Sequence, residues 1–257
     1  MYSRIIVHLT LGYGGILRHA QVYHCVGERS REGEEKAMRK AFVVAGGAKE
    51  EGDFRSLLRS EGEDAEEVVL IGADEGALWL VERGFRPALA VGDFDTVGDE
   101  GIRRLKAAGI PVRTFAREKD ATDTDLAVEA AREEFRPDVL VVYGGIGTRF
   151  DHTLANVHIV YRLVRFGCRA YLADPHNRIR LLGPGVHVLR SAFPFVSLLP
   201  WSEEVRGITL RRFRYPLDNA SLAWGTSRGI SNELLGREGE IRISKGYLLV
   251  VESRDIP

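Results

Sequence analysis

The feature that most constrains the fold is a regular alternation of strand-like and helix-like segments between residues 38 and 174. In order, the segments are strands 42–45 and 68–73, helix 75–83, strand 89–91, helix 99–108, strand 112–115, helix 122–135, strand 139–143, helix 153–166 and strand 170–173. Such alternation predicts a mostly parallel sheet flanked by helices. The run 139–143 is continuously apolar, which is typical of a strand covered on both faces.

The pattern changes after residue 174. Helical periodicity disappears, and short β-rich runs such as 186–189 and 208–213 take over, separated by turn signals such as Gly183-Pro184-Gly185. We therefore predict an α/β fold with a mostly parallel, helix-flanked catalytic domain over residues 38–175. A smaller all-β, sandwich-like domain is predicted to follow it over residues 176–257.

The first 37 residues do not fit either domain. They lack the apolar core and cleavage site of a signal peptide, and they end in a polar run over residues 27–36. A polar run of this kind is typical of a solvated, mobile segment. We therefore predict that residues 1–37 form a poorly ordered extension and that folding begins near Met38.

Composition excludes several classes of partner. The formal net charge is −1, which gives no general attraction to nucleic acid or to an anionic membrane. No apolar run approaches the roughly 20 residues that cross a bilayer. Two cysteines, Cys25 and Cys168, are too few for a disulfide framework, which favours a reducing compartment and a cytoplasmic location.

Acidic and glycine-rich segments follow the predicted strands. Because ligands of an open α/β sheet bind beyond the carboxyl ends of its strands, these segments are expected to share one edge. Asp74 closes the second strand, and Asp93 and Asp95 close the third. In an extended chain Asp93 and Asp95 would point the same way, and such a pair suits Mg²⁺. A simple turn is the alternative, since Gly and Asp are common in turns.

The segments after the fourth and fifth strands add basic groups and glycine. Lys119 lies in the acidic run 118–125, and Arg149 lies in the glycine-rich run 144–152. Carboxylates, cations and a glycine loop on one edge predict a site for a metal-bound polyphosphate. The alternatives are structural: Asp123 and Asp125 could complement a helix dipole, and His152 could be a helix-start residue. No Walker sequence is present.

The whole set resembles one family. Five segments occur in the order of the thiamine pyrophosphokinase (thiamin diphosphokinase) family: residues 73–77, 92–96, 119–123, 144–156 (GGIGTRFDHTLAN) and 229–233. The resemblance implies an α/β nucleotide domain followed by a β-sandwich. It also implies homodimers that hold thiamine in clefts between subunits. The implied activity is transfer of a pyrophosphoryl group from ATP to the hydroxyethyl oxygen of thiamine, giving thiamine diphosphate and AMP.

The resemblance also implies roles for single residues. Asp74, Asp93, Asp95 and Asp123 would hold Mg²⁺, and Arg149 and Asp151 would join Asp93, Asp95 and Asp123 in catalysis. Contacts to ATP would come from Asp74, Lys119, Thr122, Gly145, Gly147 and Arg149. Thiamine contacts would come from Asp151, Ser231, Asn232 and an aromatic ring. Trp224 is our assignment for that ring because it lies nearer the Ser231 segment; Trp201 is the alternative, and either could instead pack in a core.

Two residues depart from the family pattern; neither changes the predicted metal site, and both bear on the thiamine contacts. The family often has Gly where Thr148 stands, and a positive φ at Thr148 would be strained. Ile230 replaces a Thr of the family and removes a hydroxyl.

Two other functions are alternatives to thiamine pyrophosphokinase activity: a pyrophosphokinase acting on another alcohol, such as a hydroxymethylpterin, and a non-catalytic thiamine or nucleotide sensor.

Overall fold

The computed structural model of the protein describes residues 38–63, 65–118 and 120–255. The predicted extension over residues 1–37 lies outside this part of the chain. The elements, in order, are β1 (Met38–Val44), α1 (Glu51–Gly62), β2 (Ala65–Ala73), α2 (Glu75–Glu82), β3 (Leu89–Gly92), α3 (Gly98–Ala107), β4 (Val112–Thr114), α4 (Asp123–Phe135), β5 (Val139–Tyr143), α5 (Phe150–Arg165), β6 (Arg169–Ala173), β7 (Asn177–Leu182), β8 (Gly185–Arg190), β9 (Phe195–Pro200), β10 (Glu204–Arg211), β11 (Ala220–Ala223), β12 (Glu238–Ile243) and β13 (Leu248–Ser253).

The larger sheet has nine strands in the order β4-β3-β2-β1-β5-β6-β7-β13-β9. Strands β1 to β6 are mutually parallel, as the sequence predicts. The chain first builds outward from β1 through β2, β3 and β4, and then returns to add β5 and β6 on the other side. The strand order therefore reverses between β1 and β5, which is the position where open α/β sheets form ligand crevices.

Both faces of the parallel strands are covered, and β1 shows how. Its side chains alternate, so Ala41 and Val43 belong to the core beneath α4 and α5, and Phe42 and Val44 belong to the opposite core. That second core is aromatic and centres on Phe54 of α1. This two-sided burial is the reason that the predicted strands read as continuous apolar runs.

The second half of the chain is antiparallel and forms a sandwich. Strands β7, β13 and β9 extend the large sheet, and β11-β10-β12-β8 form a separate four-stranded sheet. Apolar side chains from both sheets, including Leu198, Ile208, Ile241 and Val250, form one core between them. The predicted fold class is confirmed. The hydrogen-bonded sheet itself crosses residue 175, because β7 pairs with β6.

Three details differ from the sequence expectation. Helix α1 was not anticipated, because only Phe54 and Leu57 of its 12 residues are buried and most of the others are polar. Strand β11 was also missed. Helix α5 begins at Phe150 rather than at residue 153, which places Asp151 in its first turn. Within the described residues, no helix has both the length and the apolar character needed to span a bilayer.

Candidate active site

Four aspartates meet at the carboxyl edge of the sheet. Asp74 follows β2 and precedes α2, Asp93 and Asp95 follow β3, and Asp123 opens α4. The Asp93 amide donates to Asp123 Oδ1 at 3.1 Å, and the Asp95 amide donates to Asp93 Oδ1 at 3.2 Å. The structure therefore brings together the carboxylates that the sequence assigned to one site.

Gly92 is the residue that lets these carboxylates approach. A Cβ at position 92 would lie 3.3 Å from Asp74 Cα and 3.4 Å from Asp123 Oδ1. The contact with the Asp74 backbone is tight, so a side chain at position 92 would require the end of β2 to shift, whereas the Asp123 side chain could move aside. The glycine before Asp93 is thus explained by packing within the site.

Asp74 is the most perturbed member of the cluster. Burial is the largest cause that raises its pKa, and the charges of Asp123, Asp95 and Asp93 raise the pKa further, whereas a hydrogen bond with Thr96 lowers it. Its Oδ1 atom is buried and has no hydrogen-bond partner among the described residues. A buried acceptor of this kind is costly unless a ligand supplies the missing contact.

The sequence argument for Asp93 and Asp95 was wrong in its geometry. Strand β3 ends at Gly92, and Phe94 adopts a φ of 58°, so the segment turns instead of continuing extended. The turn lets Phe94 pack in a core with Leu105, where it is 1% exposed. Positive φ is unusual for a bulky residue and for Asp74, which has a φ of 46°. Such backbone strain concentrates at functional sites.

The cluster does not form a ready-made metal cage. In the part of the chain that the structure describes, no group of three or more His, Cys, Asp or Glu side chains is arranged to hold a metal ion. One oxygen each of Asp93 and Asp123 accepts a backbone amide. Mg²⁺ needs no such cage, because it typically takes one or two carboxylates together with phosphate oxygens and water.

Arg149 and Asp151 lie at the start of α5 and contact each other. Arg149 Nη2 lies 2.6 Å from Asp151 Oδ2, and both side chains are exposed. The hydrogen bond from Arg149 is the largest cause that lowers the pKa of Asp151. Their position places a cation and a carboxylate at the end of β5, on the same edge as the aspartate cluster.

The glycine loop before Arg149 is tied to α5. Asn156 Nδ2 donates to the Gly145 carbonyl at 2.7 Å, and the Gly147 amide donates to Thr153 Oγ1 at 3.2 Å. Thr148 is absent from the described residues with positive φ, so its side chain causes no backbone strain. The replacement of a family glycine at this position therefore leaves the loop unstrained.

The neighbouring candidates have structural partners. Thr122 caps α4, since its Oγ1 accepts the Asp125 amide at 3.2 Å. Asp125 forms an ion pair with Arg162, which is a more specific role than complementing the helix dipole. Lys119 lies outside the described residues.

The two candidate tryptophans differ sharply. Trp201 packs against His158 and Tyr161, with ring centroids 5.1 Å and 6.1 Å away, and so has the core role that was the structural alternative. Trp224 is 69% exposed just after β11. An exposed tryptophan is unusual unless it contacts a ligand or a partner.

Ser231 and Asn232 form a strained turn in the antiparallel half. Ser231 has a φ of 55° and is exposed, and its amide donates to Ser197 Oγ at 3.0 Å. Asn232 is 2% exposed; its Oδ1 accepts the Tyr215 and Glu233 amides, and its Nδ2 donates to the Tyr215 carbonyl. Asn232 therefore holds the turn that presents Ser231.

Lys49 was not identified from the sequence. Its side chain is only 7% exposed, and its ammonium donates to the Gly47 carbonyl at 2.8 Å and to Glu75 Oε1 at 3.1 Å. Burial is the main cause that lowers its pKa. Because Glu75 follows Asp74, Lys49 links the loop after β1 to the aspartate cluster. The only sequence signal was its place after Gly46 and Gly47.

The fold and the site together define an α/β enzyme with an acidic site at the carboxyl edge of its parallel strands and an antiparallel sheet attached. Comparison with protein families identifies both parts. Residues 64–172 match the thiamin pyrophosphokinase catalytic domain, and residues 186–248 match the thiamin pyrophosphokinase vitamin B1 binding domain. The chain belongs to the thiamine pyrophosphokinase family.

Individual relatives agree with this assignment. The chain is 33% identical to thiamine pyrophosphokinase of Bacillus subtilis (strain 168) over 220 residues, which is 85% of this chain and all of that protein. Thiamine pyrophosphokinase 1 of Oryza sativa subsp. japonica is 27% identical, over 66% of this chain and 67% of its own length. The crystal structure of the B. subtilis protein superposes with a TM-score of 0.74, covering 84% of this chain and 100% of that chain.

Proposed function

We propose that the protein transfers the pyrophosphoryl group of ATP to the hydroxyethyl oxygen of thiamine, giving thiamine diphosphate and AMP. The observation that carries this proposal is the convergence of Asp74, Asp93, Asp95 and Asp123 at one edge of the sheet. Four carboxylates repel one another, so their grouping is favourable only where a cation joins them. In this proposal residues 38–175 bind ATP and residues 176–257 bind thiamine.

The residues present fit Mg²⁺. Asp74 Oδ1 is a buried oxygen with no hydrogen-bond partner among the described residues, and three further carboxylates lie close enough to raise the pKa of Asp74. Hard oxygen ligands of this kind suit Mg²⁺ better than a softer metal. When bound, Mg²⁺ would neutralise charge on the phosphate oxygens. The four aspartates are the residues that would hold it.

The chain's own cations would position the phosphates. Arg149 is exposed at the end of β5 and can bind phosphate oxygens through two parallel hydrogen bonds. We assign Lys119 to the same task, with the loop of Gly145 and Gly147 allowing close approach of the phosphates. Thr122 would act by fixing the first turn of α4 beneath Asp123. Phosphoryl transfer depends mainly on such positioning and on charge stabilisation.

Asp151 is assigned to the thiamine side. In the reaction the thiamine hydroxyl oxygen bonds to the β-phosphorus, the bond from that phosphorus to the α,β-bridging oxygen breaks, and AMP leaves with the electron pair. Arg149 lowers the pKa of Asp151, which makes Asp151 a weaker base. We therefore propose that Asp151 accepts a hydrogen bond from the hydroxyl and orients it, and that the proton is released to solvent.

The thiamine pocket is proposed to include the antiparallel half of a second subunit. Trp224 would supply the aromatic surface, because it is exposed while Trp201 is packed. Ser231 would contact thiamine, and Asn232 would contribute by holding the turn of Ser231. We propose a cytoplasmic homodimer that binds neither nucleic acid nor membrane.

One assay tests the function. Purified protein is incubated with ATP, Mg²⁺ and thiamine, and AMP and thiamine diphosphate are measured. Equimolar formation of both products is expected, and Asp93→Asn and Asp95→Asn are each expected to abolish turnover in a folded protein. Product formation only with a hydroxymethylpterin would replace thiamine as the substrate. Binding without any AMP would indicate a sensor. Near-normal rates in either Asn variant would refute the role of the cluster.

A further inference from the structure

One lysine side chain lies where three segments of the carboxyl edge meet. The Lys49 ammonium donates to the Gly47 carbonyl at 2.8 Å, after β1, and to Glu75 Oε1 at 3.1 Å, at the start of α2. Its methylene stem packs on Gly144, after β5, because a Cβ at position 144 would lie 2.8 Å from Lys49 Cγ. Lys49 therefore contacts the segments that follow β1, β2 and β5.

A charge at this position needs an explanation. The Lys49 side chain is only 7% exposed, and a buried ammonium loses its hydration. The contacts with Gly47 and Glu75 offset that loss, but an apolar side chain of similar length would fill the same space without incurring it. Buried ion pairs often contribute little net stability, so the pair of Lys49 and Glu75 points to a role beyond packing.

The backbone next to Glu75 is strained at a residue of the aspartate cluster. Asp74 has a φ of 46°, a conformation that costs free energy and must be held by its surroundings. Its amide donates to the Val91 carbonyl at 2.9 Å, which fixes the residue from the β3 side. On the α2 side Gly76 packs on Val44, since a Cβ at position 76 would lie 2.0 Å from the Val44 oxygen. Glu75 lies between these two fixed points.

The Glu75 side chain is held in place as well. It lies against Gly46, because a Cβ at position 46 would be 3.4 Å from Glu75 Oε1, and Lys49 binds that same oxygen. The ion pair therefore ties the residue next to Asp74 to the end of β1. Without the Lys49 ammonium, the Glu75 side chain, which is 41% exposed, can turn towards solvent.

We infer that Lys49 is a positioning residue for the proposed reaction and that it acts on two parts of the site. Through Glu75 it fixes the turn that presents the Asp74 carboxylate. Through Gly47, whose amide donates to a carbonyl of the loop after β5 at 2.7 Å, it fixes the loop that leads to Arg149. Lys49 thereby sets the spacing between the metal ligands and the phosphate contacts. The inference rests on the proposed function, and in this role Lys49 touches neither metal nor substrate.

The sign of the effect on Mg²⁺ affinity distinguishes positioning from simple electrostatics. Lys49 is a cation, so its removal without any change in geometry would strengthen Mg²⁺ binding at the neighbouring carboxylates. Loss of positioning predicts the opposite. Lys49→Met, which keeps an unbranched side chain, should raise the Kd for Mg²⁺ at least about tenfold in calorimetric titration of the nucleotide-free protein. Glu75→Gln should raise it less, because the amide oxygen still accepts from Lys49. In the Lys49→Met background Glu75→Gln should add no more than about twofold.

Lys40→Met is the matched control. The Lys40 side chain is 4% exposed and its ammonium lies 2.9 Å from Glu61 Oε2, so this variant also removes a buried lysine paired with a glutamate. Lys40 lies in the first half of β1, about 13 Å before the end of that strand at Val44. Whatever its effect on Tm, Lys40→Met should leave the Kd for Mg²⁺ within about twofold of wild type.

Two further measurements complete the test. In steady-state kinetics Lys49→Met should lower kcat at saturating Mg²⁺ at least about tenfold and leave the KM for thiamine within about twofold of wild type. Hydrogen exchange needs neither metal nor activity. It should be faster at the amides of residues 74–77 in Lys49→Met and unchanged there in Lys40→Met.

Several results would overturn the inference. They are tighter or unchanged Mg²⁺ binding in Lys49→Met, an equal loss of affinity in Lys40→Met, or unchanged hydrogen exchange at residues 74–77 in Lys49→Met. A lower affinity for inorganic triphosphate without Mg²⁺, at unchanged Mg²⁺ affinity, would do so too, because Lys49 would then contact phosphate directly. Should the wild type form no AMP, the proposed function fails alone, because the Mg²⁺ titration and the hydrogen exchange still test the positioning.

Discussion

Replacing Asp74 by asparagine should stabilise the metal-free protein and remove its activity. Asp74 carries a charge that burial and the charges of Asp123, Asp95 and Asp93 all disfavour. Its Oδ1 is also buried and has no hydrogen-bond partner in the part of the chain that the structure describes. An asparagine amide has nearly the same shape, carries no charge, and can donate to a neighbouring carboxylate. The substitution therefore exchanges repulsion for attraction while leaving the packing intact.

The expected gain in stability follows from the missing hydrogen bond at Asp74 Oδ1. Leaving a buried polar atom unsatisfied costs about 1–3 kcal/mol, so Asp74→Asn should raise the free energy of unfolding by a comparable amount. In a domain of this size each kcal/mol raises Tm by about 2–4 °C. The gain depends on pH. Because the folded-state pKa of Asp74 lies above its ordinary value of 3.8, the wild type loses stability as pH rises from 3.8 through the raised folded-state pKa. The advantage of the variant therefore disappears below 3.8 and grows as pH rises through the raised folded-state pKa of Asp74.

Urea denaturation of both proteins, with and without Mg²⁺, measures this effect. Mg²⁺ should stabilise the wild type by mass action, which amounts to about 2.7 kcal/mol at a concentration of 100 times Kd, and should stabilise the variant much less. Activity should fall by more than about 100-fold. Asp125→Asn is the matched control: it weakens the ion pair with Arg162, so it should destabilise by up to about 1 kcal/mol and retain turnover. A metal-free Asp74→Asn protein less stable than wild type, or one with an undiminished response to Mg²⁺, would refute the reasoning.

Four other substitutions separate structural from functional roles. Trp224→Ala should leave Tm unchanged and raise the KM for thiamine at least about tenfold, because the ring is exposed. Trp201→Ala should lower the free energy of unfolding by about 3–5 kcal/mol, because the Trp201 ring is packed. Thermal melts and steady-state kinetics measure both effects. Asn232→Ala should destabilise by more than about 1–3 kcal/mol, measured by urea denaturation, because it leaves the amide and carbonyl of Tyr215 unpaired. Lys49→Met should weaken Mg²⁺ binding measured by calorimetry, since Glu75 loses its partner beside Asp74, and a wild-type Kd would contradict that link.

The parallel half of the fold could be predicted because its strands are buried on both faces. Continuous apolar runs such as 139–143 and the helices between them follow directly from that burial. Helix α1 could not be found in the same way, because it packs on the sheet through Phe54, Leu57 and the partly buried Leu58, and most of its other side chains are polar. The extension of the sheet across residue 175 could not be predicted either. Pairing of β7 with β6 joins residues of the two predicted domains, and strand pairing leaves no mark in local sequence.

The aspartate cluster could be predicted from topology. Each aspartate follows a recognisable strand or opens a recognisable helix, and parallel strands bring those positions to one edge. The backbone at the cluster could not be predicted, because the positive φ of Phe94 depends on where its ring packs. Lys49 could not be identified from the sequence for a related reason. A single lysine after two glycines has no pattern, and its importance comes from burial against Glu75, which is distant in sequence.

The strained residues explain why the cluster is built from turns. An extended segment would carry Phe94 to the opposite side from Asp93, in line with the pleat of β3. The turn at Phe94 instead buries that ring and lets the Asp95 amide bond to Asp93 Oδ1. Burial of a phenylalanine ring contributes about 1.5–3 kcal/mol, which is enough to offset a strained φ of about 1–3 kcal/mol. The core beneath β3 thus stabilises a backbone shape that the carboxylates alone would not adopt.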